Sequence, residues 1–257
     1  MINRMETSKK SLILRVLRAN PASHENAHYQ TLSIPQEPGM TVLSALLYAK
    51  EHLDHSIAIR FSCRMAACGS CGMRINGLPK LACYTQVSDY ETTPITVEPL
   101  ENYPLVRDLV TDFDDFFEKH KSIKPSLIRR DVNEQENCTT EYVQSQHEVD
   151  SFLQFAYCIK CGLCNAACPT FKTDPLFTGP QALGQAYRYV ADSRDEGVME
   201  RVMAVDHSHG VWRCHYPAAC SFVCPKGVDP ALAIQRLKRV VVSRAAHKKK
   251  GAPLLKK

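Results

Sequence analysis

No stretch of the 257-residue sequence approaches the ~20 consecutive apolar residues that a bilayer core demands. The first ten residues are polar and lack the apolar run and small-residue cleavage site of a secretory leader. No G-x-G-x-x-G follows a strand-like segment, so the dinucleotide-binding fingerprint is missing. These absences predict a chain without a transmembrane segment of its own, in the cytoplasm or on the cytoplasmic face of a membrane. A fourth absence is local: residues 231–257 contain nine Lys or Arg and no acid. The other 23 basic residues stand against 27 acidic ones, so the formal charge of +5 belongs to the tail. Such a tail suits anionic lipid headgroups, an acidic partner or nucleic acid; a solvated, frayed terminus is the plainer alternative.

The sequence is rich in cysteine, with twelve, at 63, 68, 71, 83, 138, 158, 161, 164, 168, 214, 220 and 224. In the reducing compartment expected here, clustered cysteines favour metal binding over a disulfide framework. Disulfides between cysteines three residues apart would also be strained and would staple almost nothing.

A hydrophobic content of 44% with 23% charged residues is ordinary for a globular protein, and the length suits two modest domains. Residues 11–101 read as mixed α and β. Strand-like segments fall at 11–18, 30–34, 72–76 and 94–99, and Thr41 is the expected N-cap of a helix through Val42, Ala45, Leu46 and Ala49. Beyond Tyr103, Leu105, Leu109, Phe113, Phe116 and Phe117 lie near helical spacing, with Asp108, Asp112 and Asp115 on the other face. The polar stretch 131–146 reads as a connecting loop or exposed excursion. Leu183, Ala186, Tyr187 and Val190 form a helical stripe, and Val198, Val202 and Val205 suggest another. Asp229-Pro230 opens a last helix as N-cap and first helical residue. The second half is therefore expected to be all-helical with cysteines in its connections, giving domains 1–118 and 119–257.

Cys63, Cys68 and Cys71 spell C-x4-C-x2-C, and Cys83 follows after eleven residues. The first three spacings are the plant-type [2Fe–2S] ligand pattern. Three thiolates on one curled segment can wrap a small cluster while a fourth arrives from an adjacent strand. Gly69 and Gly72 are expected where the backbone curls, and Arg60, Arg64 and Arg74 could offset the cluster's negative charge. A zinc knuckle competes, but it usually has two separated C-x2-C pairs and this group has one.

Cys158, Cys161, Cys164 and Cys168-Pro169 spell C-x2-C-x2-C-x3-C-P, the bacterial ferredoxin run. In two-cluster ferredoxins the fourth cysteine of such a run ligates the other cluster. The distant group Cys214, Cys220 and Cys224-Pro225 reads as a second run lacking its second cysteine, at Pro217. By the exchange rule Cys224 joins Cys158, Cys161 and Cys164 around a [4Fe–4S] cluster. Cys168, Cys214 and Cys220 remain, and three ligands suit a [3Fe–4S] cluster. Cys138 is left as a free thiol. His215 is either a surface histidine or a proton donor to a substrate docked beside the three-ligand site.

This order of clusters resembles the iron–sulfur subunit of succinate dehydrogenase and fumarate reductase. The likeness runs from about residue 41 to 237. It includes S-C-R-M-A-A-C-G-S-C-G-M at 62–73, L-A-C at 81–83, R-D-L-V at 107–110 and C-G-L-C-N-A-A-C-P at 161–169. It includes also V-W-R-C at 211–214 and V-C-P-K-G-V-D-P at 223–230. The resemblance implies an α+β chain, with a β-grasp plant-type ferredoxin domain followed by an all-α bacterial-type ferredoxin domain. It implies an electron relay from the FAD of a flavoprotein partner through the three clusters to a quinone. The quinone would be held by one or more transmembrane anchor subunits, with or without haem. The dicarboxylate chemistry would lie on the flavoprotein. Where many ubiquinone-linked members have two tryptophans, this chain has C-P-T-F-K-T at 168–173, and D-P-L-F-T-G-P at 174–180 is similar to the fumarate reductase and menaquinone-linked branch. That branch favours menaquinone and implies that His215, Tyr216, Gln235 and Lys238 lie near its headgroup; Lys238 also belongs to the basic tail. Two other functions compete. One is an iron–sulfur subunit serving a different flavoenzyme. The other is an iron–sulfur regulator using the basic tail on nucleic acid, against which stand the absence of a DNA-reading motif and three clusters of graded type.

Overall fold

The computed structural model describes residues 11–23, 26–90 and 94–249. The polar start, 1–10, and the end of the basic tail, 250–257, lie outside the described residues. The chain divides into two compact units, Met1–Asp112 and Phe113–Lys257.

In the first unit β1 (Ser11–Arg18), β2 (His28–Pro35), β3 (Gly72–Ile75), β4 (Leu78–Leu81) and β5 (Ile95–Glu98) form one sheet, ordered β2-β1-β5-β3-β4. β1 is parallel to β5 and antiparallel to β2, and β3 is antiparallel to both β4 and β5. Leu12, Leu14 and Val16 are buried at alternate positions of β1, as a strand with one inward face requires. Helix α1 (Val42–His52) packs against β2 and buries Val42, Leu43, Ala45, Leu46 and Ala49; each large aliphatic side chain so buried contributes roughly 1.5–3 kcal/mol. Its start is a reciprocal cap: the Ser44 N–H donates to Thr41 Oγ1 at 3.1 Å and the Thr41 N–H to Ser44 Oγ at 2.8 Å.

β4 has no counterpart among the expected strands. Its signal is Asn76-Gly77, whose φ values of 46° and 82° make the two-residue turn that twists a hairpin correctly. A second difference lies at 105–111. The expected helical period there is instead a hairpin of β6 (Leu105–Arg107) and β7 (Val110–Thr111), and helix α2 begins only at Asp114 (Asp114–Ser122). Asp108 explains the change. It is 2% exposed with φ 47°, and its carboxylate accepts from the Ala19 N–H at 3.1 Å and the Ala58 N–H at 2.9 Å. It also pairs with Arg18 at 3.2 Å. Contacts distant in sequence outweigh a local periodic preference.

The second unit contains α2, α3 (Val132–Glu136), α4 (Gln146–Ala156), α5 (Leu163–Ala166), α6 (Pro169–Thr173), α7 (Pro180–Val190), α8 (Val198–Val205), α9 (Ala219–Phe222) and α10 (Pro230–Lys249). No strand occurs among its described residues. α7 packs between α4 and α10, and its stripe of Leu183 and Ala186 meets Val202, Val205, Ile234, Leu237 and Val241 in one core that includes Cys168 and Cys214. The polar stretch 131–146 holds the short helix α3, which buries nothing. Asp229 caps α10, accepting from the Leu232 N–H at 2.9 Å and from the Ser221 hydroxyl, so the cap also ties α9 to α10. Among the described residues no helix is long and apolar enough to cross a membrane.

Asp108→Ala leaves two backbone N–H groups without their acceptor and Arg18 with Asp54 as its remaining carboxylate. The expected cost is about 3 kcal/mol, the scale of breaking a buried, hydrogen-bonded ion pair. A lowered unfolding midpoint in denaturant checks it.

Candidate metal centres

The loop from α1 to β3 carries Cys63, Cys68 and Cys71, and Cys83 follows directly on β4. Arg64, Ala66 and Gly69 have φ of 57°, 57° and 76°, a run of left-handed residues that turns successive N–H groups inward. The N–H groups of Met65, Ala67 and Cys68 donate to Cys63 Sγ at 3.4, 3.3 and 3.3 Å. The Ala66 N–H reaches Cys83 Sγ at 3.3 Å and the Cys63 N–H reaches Cys68 Sγ at 3.5 Å. Cys71 lies against Cys83 and feels the charge of Cys68, so the four thiols are gathered in one cup lined with N–H donors. The Ser70 hydroxyl, 3.0 Å from Cys68 Sγ, helps draw that thiol down to about 6, whereas burial pushes Cys71 up to about 12. Gly69 curls the loop as expected, but Gly72 opens β3 instead. Arg74 pairs with Glu98 at 2.8 Å and with Glu101, so its charge is neutralised locally. Arg60 donates to the Thr111 carbonyl at 2.7 Å and Arg64 lies over the Phe61 ring.

In the second unit Cys158, Cys161, Cys164 and Cys224 line one cavity with about 440 Å³ of atom-free space, its open mouth included. Gly162, Gln181, Gly184 and Val228 are also in its wall; Cys168 is not. The connection turns at Lys160 and Gly162, with φ of 56° and 77°. Burial pushes Cys158 up, Cys161 up to about 12 and Cys164 well up, and the neighbouring sulfurs reinforce each shift. Cys168, Cys214 and Cys220 form the other group: all are buried, and their charges act on one another. Burial raises Cys168 and takes Cys220 up to about 12. Cys138 stands apart on the surface beside the Gln135 carbonyl. Among the described residues no three His, Cys, Asp or Glu side chains converge as they would on a single ion.

This donor set fits iron–sulfur clusters. Several buried thiols facing one apolar cavity resist ionisation unless a strong cationic centre accepts their charge, and iron supplies such a centre. Residues 13–118 match the 2Fe-2S iron-sulfur cluster binding domain, and residues 154–228 match the 4Fe-4S dicluster domain. The chain is 44% identical to the fumarate reductase iron-sulfur subunit of Mycobacterium tuberculosis, over 92% of this chain and 95% of that one. It is 43% identical to that of Escherichia coli O157:H7, over 88% and 91%. The succinate dehydrogenase iron-sulfur subunit of Coxiella burnetii is 37% identical over 87% and 94%. The fold is similar to a chain of the Mycobacterium smegmatis Sdh1 complex in the apo form, with a TM-score of 0.80 and 25% identity over 93% of this chain and 98% of that one.

The chain belongs to the iron–sulfur subunits of fumarate reductase and succinate dehydrogenase. In this iron–sulfur subunit the residues expected near a quinone are only partly gathered. Lys238 on α10 donates to the Cys214 carbonyl at 2.8 Å, which fastens the helix to the cysteine connection. His215 and Tyr216 are exposed, and Tyr216 and Ala218, with φ of 61° and 58°, bracket Pro217. Gln235 presents a buried Nε2 without a hydrogen-bond partner. Side chains touching sulfur that the sequence did not single out include Ser70 and Gln181, with Asn165, Thr170 and Ser221 beside Cys164, Cys168 and Cys220. Ser70 had a visible signal, lying between Cys68 and Cys71, whereas Gln181 reaches Cys158 only through the packing of α7.

In the metal-free chain, alkylation of Cys68 should reach half its maximal rate near pH 6, since its thiolate persists above that pH. Cys71, held up at about 12, should stay inert at neutral pH. Ser70→Ala should move the Cys68 profile to higher pH, as mass-spectrometric labelling rates would reveal.

Proposed function

We propose that this chain carries electrons between the FAD of a flavoprotein partner and a quinone, menaquinone favoured, held by a transmembrane anchor. The complex would sit at the cytoplasmic face of the membrane. The two domains, expected at 1–118 and 119–257 and parted in the fold before α2, would be a β-grasp plant-type ferredoxin domain and a bacterial-type ferredoxin domain. Cys63, Cys68, Cys71 and Cys83 would hold [2Fe–2S]; Cys158, Cys161, Cys164 and Cys224 would hold [4Fe–4S]; Cys168, Cys214 and Cys220 would hold [3Fe–4S]. One observation carries this reading: Cys224 lines the cavity of Cys158, Cys161 and Cys164, whereas Cys168 does not. That is the arrangement the ligand exchange of two-cluster ferredoxins would require.

When bound, such clusters supply one-electron steps, which suit a relay between a two-electron flavin and a two-electron quinone. The residues of the chain hold and tune them. The N–H groups of Met65, Ala67 and Cys68 would stabilise charge on Cys63 sulfur, and the apolar wall around Cys164 would limit the approach of water. At the three-ligand end Pro217 offers no thiolate, which leaves no anchor for a fourth iron. His215, Tyr216, Gln235 and Lys238 are assigned to the quinone side, supported by the unpartnered Gln235 Nε2 and by the Lys238 bond to the Cys214 carbonyl.

EPR of the intact complex, as prepared and after reduction with succinate, tests the assignment. Three cluster types should appear. Cys224→Ser should remove or alter the [4Fe–4S] signal, and Cys168→Ser the [3Fe–4S] signal. Signals from one cluster type alone, or none responding to succinate, would overturn it.

A further inference from the structure

Gln181 occupies the second position of α7, is 3% exposed, and lines the cavity of Cys158, Cys161, Cys164 and Cys224. Its Nε2 lies 3.2 Å from His120 Nδ1 and 3.9 Å from Cys158 Sγ. Its Oε1 is buried with no partner. A primary amide nitrogen has two hydrogens, and this arrangement gives one to the imidazole and directs the other at sulfur. His120 is itself buried, on α2. In the tautomer with its proton on Nε2, the ring presents its Nδ1 lone pair to the amide and sets which end of Gln181 faces the thiolate. The reversed amide would set its carbonyl oxygen against an anionic sulfur.

We propose that Gln181, positioned by His120, donates a hydrogen bond to the Cys158 thiolate and raises the reduction potential of the cluster held in that cavity. A donor aimed at a cluster sulfur stabilises the reduced, more negative state over the oxidised one. The two side chains thus act on the middle stop of the relay without being ligands. The proposal rests on the reading of Cys158 as a [4Fe–4S] ligand.

EPR-monitored potentiometry of the membrane-bound complex is the test. Gln181→Leu and Gln181→Met keep an apolar side chain in the wall but remove the donor. Each should make the [4Fe–4S] cluster about tenfold harder to reduce, about 59 mV lower for one electron, with the other two potentials unmoved. An exchangeable proton coupled to the reduced cluster in the unaltered complex should vanish in both. An unchanged potential in either variant would overturn the proposal. Failure of the ligand reading looks different: the unaltered complex would then show no [4Fe–4S] signal.

Discussion

Burial of ionisable sulfur is the constraint around which the second unit is built. Cys164 is raised well above an ordinary thiol, and Cys161 and Cys220 are raised to about 12. A thiol in that state is a poor ligand until a metal competes for its proton. Each buried sulfur also opposes the ionisation of its neighbours, so the charges cannot be accommodated one at a time. Bound iron would resolve both difficulties together, by accepting the charge of several thiolates at once. The first unit solves the same problem differently. Its loop lies nearer the surface and lines Cys63 with three N–H donors, so backbone dipoles offset part of the charge.

The helices around the buried sulfurs are arranged to meet this demand. α5, α6 and α9 are single turns; Cys164 and Cys220 sit on α5 and α9, and Cys168 caps α6. Such short helices gain little from their own hydrogen bonds and depend on the long α7 and α10. α10 reaches both groups of cysteines. Its cap at Asp229 binds Ser221, between Cys220 and Cys224, and its Lys238 holds the Cys214 carbonyl. One helix therefore sets the spacing of ligands assigned to two different clusters. α7 brings Gln181 to the cavity from the opposite side of the sequence.

Much of this was legible without coordinates because its causes are local. Thr41 caps α1, Asp229-Pro230 opens α10, and Leu183, Ala186, Tyr187 and Val190 face the core as their period requires. The cysteine spacings were informative for a similar reason: three thiolates on one short segment leave few chemistries open. The errors arose where distant residues decide. Leu105 and Leu109 have helical spacing, yet Asp108 is claimed by Ala19, Ala58 and Arg18 and bends the chain into a hairpin. Arg74 looked available to a cluster, but Glu98, its partner on the neighbouring strand β5, and Glu101 meet it. Gln181 carried no signal at all, since an amide in a helix acquires its role only from what packs against it.

If eleven thiols divide four, four and three, Pro217 is the reason for the three. Pro217→Cys in the assembled complex puts that division to the test. Oxidised [3Fe–4S] is paramagnetic and oxidised [4Fe–4S] is not, so the EPR signal of the oxidised complex should disappear while a new signal arises on reduction. Persistence of the oxidised-state signal in a variant that assembles fully would contradict the division.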